Sequence, residues 1–423
     1  MVDAVLAARL DALEQNLKHA EAATPKQWQK NLNLTNVRVE DAIWLNLEVT
    51  IGREVKRLSA ELKKIRKKED PKEAWEGYAR AYEESEIIFR ECLEFLGGLA
   101  FRDKLLDGKI CMVADELIRS CAAETLEQPS LAIPAPQEAL TKTLGRIIRL
   151  RFPERSVWTL PYIAHDFGHV IERMDKFVQA EVPRWAGQVK QPAEEYLRVL
   201  LADAFATYSM GPAYACAAIL LRFNPSSAYT EHDKRPAVAK RAHVVLTMLR
   251  EMDDQAGGGP YNAMIQHLEP EWRQMLERAG VSGTLEAEDK TRLHELVVAI
   301  LEHFGTEFPE TARYPHDGES GWLVAQKWQG VLWKHLGQDD PNADDFGEVS
   351  LTSKLRDVLN AAWLCRRKVS LGKDDSEQTK LDKIKQIGDE AHGLCEVIIE
   401  ERQRGTVRTG RRRNSSKTRR GRQ

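Results

Sequence analysis

The spacing of apolar residues follows a helical period along almost the whole chain. Val5, Leu6, Leu10, Leu13 and Leu17 recur at intervals of three and four, which predicts an amphipathic helix over residues 2–23, ended by Thr24-Pro25. A second helix is expected over residues 41–68. It starts apolar (Ile43, Trp44, Leu47, Val49) and ends in a basic run, with Asp70-Pro71 as stop and restart. Residues 74–99, 109–123 and 137–150 read as three more helices, the last preceded by a Pro-rich connector over 128–136. Further helices are predicted over 285–304, 319–336, 351–367 and 376–401. Strand patterns are scarce and no repeat is evident, so the expected fold is mainly α and multi-helical. Gly257-Gly258-Gly259-Pro260 is the clearest linker. It suggests an N-terminal helical region (1–70), a central helical core (71–256), a C-terminal helical region (261–401) and a tail (402–423).

Composition narrows the class. With 423 residues, 42% of them hydrophobic and 30% charged, the chain can bury more than one core. The first residues mix Asp, Arg and Glu into the apolar pattern, unlike a secretory signal, and no apolar run is long enough to span a bilayer. Six scattered cysteines form no CxxC pair, which argues for free thiols rather than a disulfide framework or zinc ribbon. A cytoplasmic protein without a membrane span is expected. The net charge of −3 conceals an asymmetry. Between Arg402 and Gln423 stand nine Arg, one Lys and no acid, leaving 52 basic against 65 acidic residues elsewhere. The tail is expected to be disordered and able to contact nucleic acid or an acidic protein.

Candidate chemistry centres on His165-Asp166-Phe167-Gly168-His169. Pro161 suits a first helical turn, and a helix continuing to Phe177 puts His165 and His169 one turn apart on a shared face. Two imidazoles so placed can chelate a divalent metal through neutral nitrogens. Ile163, Phe167, Val170 and Met174 give the helix an apolar side, and Gly168 leaves room for another backbone or a substrate.

In this segment the chain resembles the zincin metallopeptidases, whose HExxH helix supplies two zinc-binding His and a Glu that activates water. Here the string reads HDFGH within LPYIAHDFGHVIE. The resemblance places His165 and His169 on the metal and Asp166, one methylene shorter than Glu, at the general base. A second similarity is to the ExxAD helix of HtpX-like gluzincins: Ala202-Asp203 matches the AD, while Val199 stands at the position of the ligating Glu. A third ligand is therefore sought in Asp203, Glu195 or Glu172. Asp203 ranks first because an acid in an apolar helix needs a partner. His232, Pro236 and Arg241 follow in the order of a His-Pro…Arg segment. The resemblance covers roughly residues 145–250.

It implies a metallopeptidase-like protein: a Zn²⁺-dependent peptide hydrolase with diverged or lost activity, acting on a peptide or protein. Two alternatives stand beside it. One is a non-enzymatic helical scaffold, in which the Trp residues and terminal amphipathic helices serve packing and partner binding. The other is an HD-type metal-dependent phosphohydrolase, which would use His165-Asp166 and Asp203 but also needs an upstream His, where only His19 is present. No P-loop, GxSxG elbow or dinucleotide-binding glycine string occurs.

Overall fold

The computed structural model describes residues 4–23, 52–103, 109–122, 131–135, 147–151, 156–174, 176–189, 192–231, 235–257, 259–308, 310, 312–316, 321–336, 354–372 and 375–419. Fourteen α-helices and two short strands lie among them, so the mainly α expectation holds. The chain divides into two compact units, residues 1–115 with 126–155, and residues 116–125 with 156–423. The boundary expected near 256–261 falls inside the second unit instead, and the one at 70 inside the first.

The first unit packs α1 (Ala4–Ala23), α2 (Gly52–Ile65) and α3 (Pro71–Asp103) together. Their buried positions alternate by three and four: Leu6, Leu10, Leu13 and Leu17 on α1, and Val55, Leu58, Leu62 and Ile65 on α2. On α3, Ala74, Ala81, Ile88 and Phe95 repeat every seventh residue, the seam of a coiled-coil-like bundle. Val5, included in the expected stripe, is exposed. Much of the helix expected over 41–68 lies outside the described residues, α2 being its later part.

One expected helix is corrected. Part of the segment 137–150 is a strand, β2 (Ile147–Arg151), which pairs in parallel with β1 (Leu131–Ala135) from the supposed connector. Consecutive β-branched Ile147 and Ile148 favour the extended form. Asp115 accepts the Ala132 amide at 2.7 Å and Arg102 donates to the Ala132 carbonyl at 2.6 Å, so β1 has backbone partners besides β2.

The second unit is built around α7 (Ala193–Met210). Residues 196–210 of this helix, except Arg198, are buried. Such all-round burial explains its run of Leu, Ala and Phe with few charges. Packed on α7 are α5 (Ile163–Met174), α6 (Phe177–Trp185), α9 (Val238–Gln255) and α11 (Ala287–Glu307). Gly168 permits the closest approach: a Cβ there would stand 2.8 Å from the Cα of Ala202. The room left by Gly168 is thus filled by the backbone of α7.

At its far end α7 stops at Gly211 (φ +61°) and Pro212 opens α8 (Pro212–Ala217). That turn is pinned by α13 (Leu355–Leu371). Asn360 accepts the Ala213 amide at 2.9 Å and donates to the Met210 carbonyl at 3.0 Å. Buried Arg356 adds a 2.7 Å bond to the Ser209 carbonyl. On α13 also pack α12 (Trp322–His335) and α14 (Glu377–Arg419). α14 continues as helix well into the segment expected to be disordered. Extending an existing helix avoids the nucleation cost, and Arg is a good helix former. α4 (Ile110–Ala122) and α10 (Asn262–Arg278) complete the set, and no described helix is long and apolar enough to cross a membrane.

The α5–α7 contact gives a direct expectation. Gly168→Ala should destabilise the protein by about 1–3 kcal/mol in urea unfolding, and Gly168→Val by more, because a backbone must move to admit the added carbon. An unchanged midpoint for both variants would contradict this close crossing.

Candidate functional site

Five segments of the second unit send polar side chains to one buried point. Tyr162 comes from a short 3₁₀ turn (Leu160–Tyr162), His165 from α5, Asp203 from α7, Tyr214 from α8 and Arg241 from α9. Asp203 is completely buried and sits at the centre. Its Oδ1 accepts from Tyr214 Oη at 2.5 Å and from Arg241 Nη2 at 2.9 Å, and lies 2.9 Å from His165 Nδ1. The other oxygen, Oδ2, accepts from Arg241 Nε at 2.7 Å. Arg241 is therefore a two-pronged partner, the strong form of a guanidinium–carboxylate contact.

Nη2 of Arg241 has further neighbours. It lies 3.2 Å from Tyr162 Oη and 3.5 Å from His165 Nε2. The guanidinium stands 4.8 Å from the ring centroid of Phe223, a cation–π contact. His165 is flanked by Tyr162 (ring centroids 5.0 Å apart) and lies parallel to Tyr214 at 6.4 Å. His169 meets it edge-on at 4.8 Å and is half-buried.

Charge states follow from these contacts. Burial pushes the His165 imidazole down to about 4 against the pull of Asp203, so the ring is neutral at pH 7. Its hydrogen-bond partners assign the tautomer: Nδ1–H donates to Asp203, and the Nε2 lone pair faces the Arg241 guanidinium. Burial alone would lift the Asp203 carboxyl, but Arg241 and then His165 outweigh it and hold it well below the usual range. Burial likewise opposes the charge on Arg241, and Asp203 more than compensates, raising it well above its ordinary value. The pair is ionised throughout the physiological range.

Of the residues expected to form a site, His165 meets both Asp203 (2.9 Å) and His169 (ring centroids 4.8 Å apart). Asp166 is half-buried on the same helix. The side chain of Glu172 and the whole of His232 lie outside the described residues. Glu195 stands eight residues before Asp203 on α7, about 12 Å along the axis. Val199, one turn from Asp203, is buried and apolar.

This donor set does not fit a zinc site as it stands. Zinc needs lone pairs converging on one centre, yet both Asp203 oxygens accept from Arg241 and the open nitrogen of His165 faces that same cation. Among the described residues, no group of three or more His, Cys, Asp or Glu could hold a metal ion.

Tyr162 and Tyr214 were not singled out from the sequence, and Arg241 only as part of a His-Pro…Arg order. A signal for Arg241 exists. It falls in the apolar stripe of α9 with Val244, Val245, Met248 and Met252, as Asp203 does in α7. Two opposite charges, each on an apolar face, are candidates for one buried pair. His294 lies 3.5 Å from Glu251 and His303 stacks on Phe177 at 4.8 Å. No known protein family, curated protein or solved structure matches the chain.

Two expectations follow. Removing one partner strands a buried charge, so Arg241→Met should cost about 3–5 kcal/mol, while Arg241→Met with Asp203→Leu should recover most of that loss. Additive losses in denaturant unfolding would contradict the pairing.

The second concerns pH. The folded His165 value lies below its unfolded one, so its stabilisation is complete above about pH 6.5 and declines as pH falls towards 4. The loss should be on the order of 3 kcal/mol. Asp357, raised by burial to about 6, acts in the opposite sense over a similar range, losing its contribution as pH rises through 6. His165→Asn keeps a donor for Asp203 but cannot titrate. The stability difference between wild type and this variant should shrink between pH 7 and 4, and a pH-independent difference would sink the assignment.

Proposed function

We propose that the protein is a metallopeptidase-like helical scaffold that does not hydrolyse peptides, its central cluster serving to lock α5, α7, α8 and α9 together. One observation carries this reading: Arg241 occupies both oxygens of Asp203 and stands beside the open nitrogen of His165. A divalent metal entering there would meet a fixed positive charge in a buried, low-dielectric setting, where like charges repel most strongly. The apolar Val199 supports the same reading, since it offers no electron pair at the position where the resemblance would require a ligand.

On this reading the work of the protein is binding. The central network gives a stable frame, and a peptide or protein partner would engage its surface rather than a catalytic cleft. The buried polar cluster also has a structural value that apolar packing lacks: each member accepts or donates in one geometry, which fixes the helix register.

The test is metal analysis of the purified full chain, together with a zinc-supplemented screen for peptide cleavage. Zinc well below one equivalent, unchanged in His165→Ala, and no chelator-sensitive cleavage are expected. Stoichiometric zinc that is lost in His165→Ala, or cleavage abolished by a chelator, would contradict the reading. Phosphoester turnover dependent on Mn²⁺ or Fe would favour the phosphohydrolase alternative.

A further inference from the structure

A separate feature, independent of the central cluster, lies at the end of α14. Its first half is anchored by buried Ile387, Ala391, Cys395, Ile398 and Ile399. Beyond Glu401 the same helix runs on without interruption to Arg419, 18 residues or about 27 Å. These residues comprise seven Arg, one Lys and no acid, and the rest are Gln, Gly, Thr, Val, Asn and Ser. Arg404, Arg408 and Arg412 stand at i, i+4 and i+8, successive positions on one face about 6 Å apart along the axis, with Arg411 adjoining.

The composition selects the partner by what it lacks. Val407 is the only large apolar residue, so the segment has no apolar face to sink into a membrane interface and no i, i+4, i+7 anchors for a protein groove. No aromatic residue is interleaved, so it offers no platform for stacking unpaired bases. What remains is a helical segment rich in guanidinium groups, with Thr, Ser, Asn and Gln, residue types that also bond phosphate oxygens. A repetitive array of phosphates is its natural counterpart. A single helix fits the major groove of B-form DNA, whereas the major groove of A-form RNA is too narrow for it.

We propose that residues 402–419 form a DNA-binding extension, a basic helix that docks on duplex DNA chiefly through phosphate contacts. With few base-reading side chains, binding is of low sequence specificity and strongly salt-dependent.

Fluorescence anisotropy of the full chain with a labelled duplex of about 20–30 bp tests this. Binding is expected at about 50 mM salt, with log K falling against log salt at a slope of about −4 or steeper. A variant with Arg404, Arg408, Arg411, Arg412 and Arg413 all changed to Gln should lose at least about tenfold in affinity and flatten that slope by about 4. A chain truncated after Glu401 should behave alike, and circular dichroism and thermal unfolding verify that both variants remain folded. The proposal is overturned if wild type fails to bind, or if the folded variants bind as well as wild type. It is also overturned if a duplex RNA of the same sequence, or poly-glutamate, competes better than unlabelled duplex DNA.

Discussion

A carboxylate with no access to water can stay ionised only if charge and hydrogen bonds are supplied around it. Asp203 meets that condition through Arg241, with Tyr214 and His165 completing the shell. The arrangement of the second unit depends on this pairing. It requires α9 to present Arg241 to α7, the Gly211-Pro212 turn to return Tyr214 over the same carboxylate, and α5 to approach closely enough for His165 to donate. The absence of a Cβ at Gly168 makes the last of these possible. Asn360 and Arg356 on α13 hold the turn on which the second depends.

The same pairing sets the surroundings of His165. Donating from Nδ1 and facing a guanidinium at Nε2, the ring is neutral in this cluster, burial lowering its titration. Two histidines one turn apart are therefore compatible with a helix whose role is packing. The chemistry of such a pair is set by the partners that other helices bring. Here the cation in the cluster is an arginine side chain delivered by the fold.

The sequence made the helices plain because their apolar residues repeat every three or four positions, as on α1 and α2. It also pointed to Asp203 and His165 as one site, expected there as ligands of a metal, whereas in the structure the acid meets the imidazole directly. The strand β2 was missed because a short apolar run carries no period of its own, and a two-stranded pairing depends on a partner with a Pro in it. The place of Arg241 was hidden for another reason. It lies 38 residues from Asp203, and only the packing of α9 on α7 decides which side chain completes the acid's shell. The unit boundary near 155 left no trace either, whereas the glycine-rich stretch near 258 joins two helices of the same unit.

In the central cluster a guanidinium faces the open nitrogen of His165. Long-range ¹H–¹⁵N correlation of the imidazole nitrogens reads this directly, recorded with and without added Zn²⁺. A neutral ring protonated on Nδ1 is expected, with Nε2 bare and both resonances unmoved by zinc. A ring protonated on Nε2, or His165 and His169 signals that shift together on adding zinc, would contradict it.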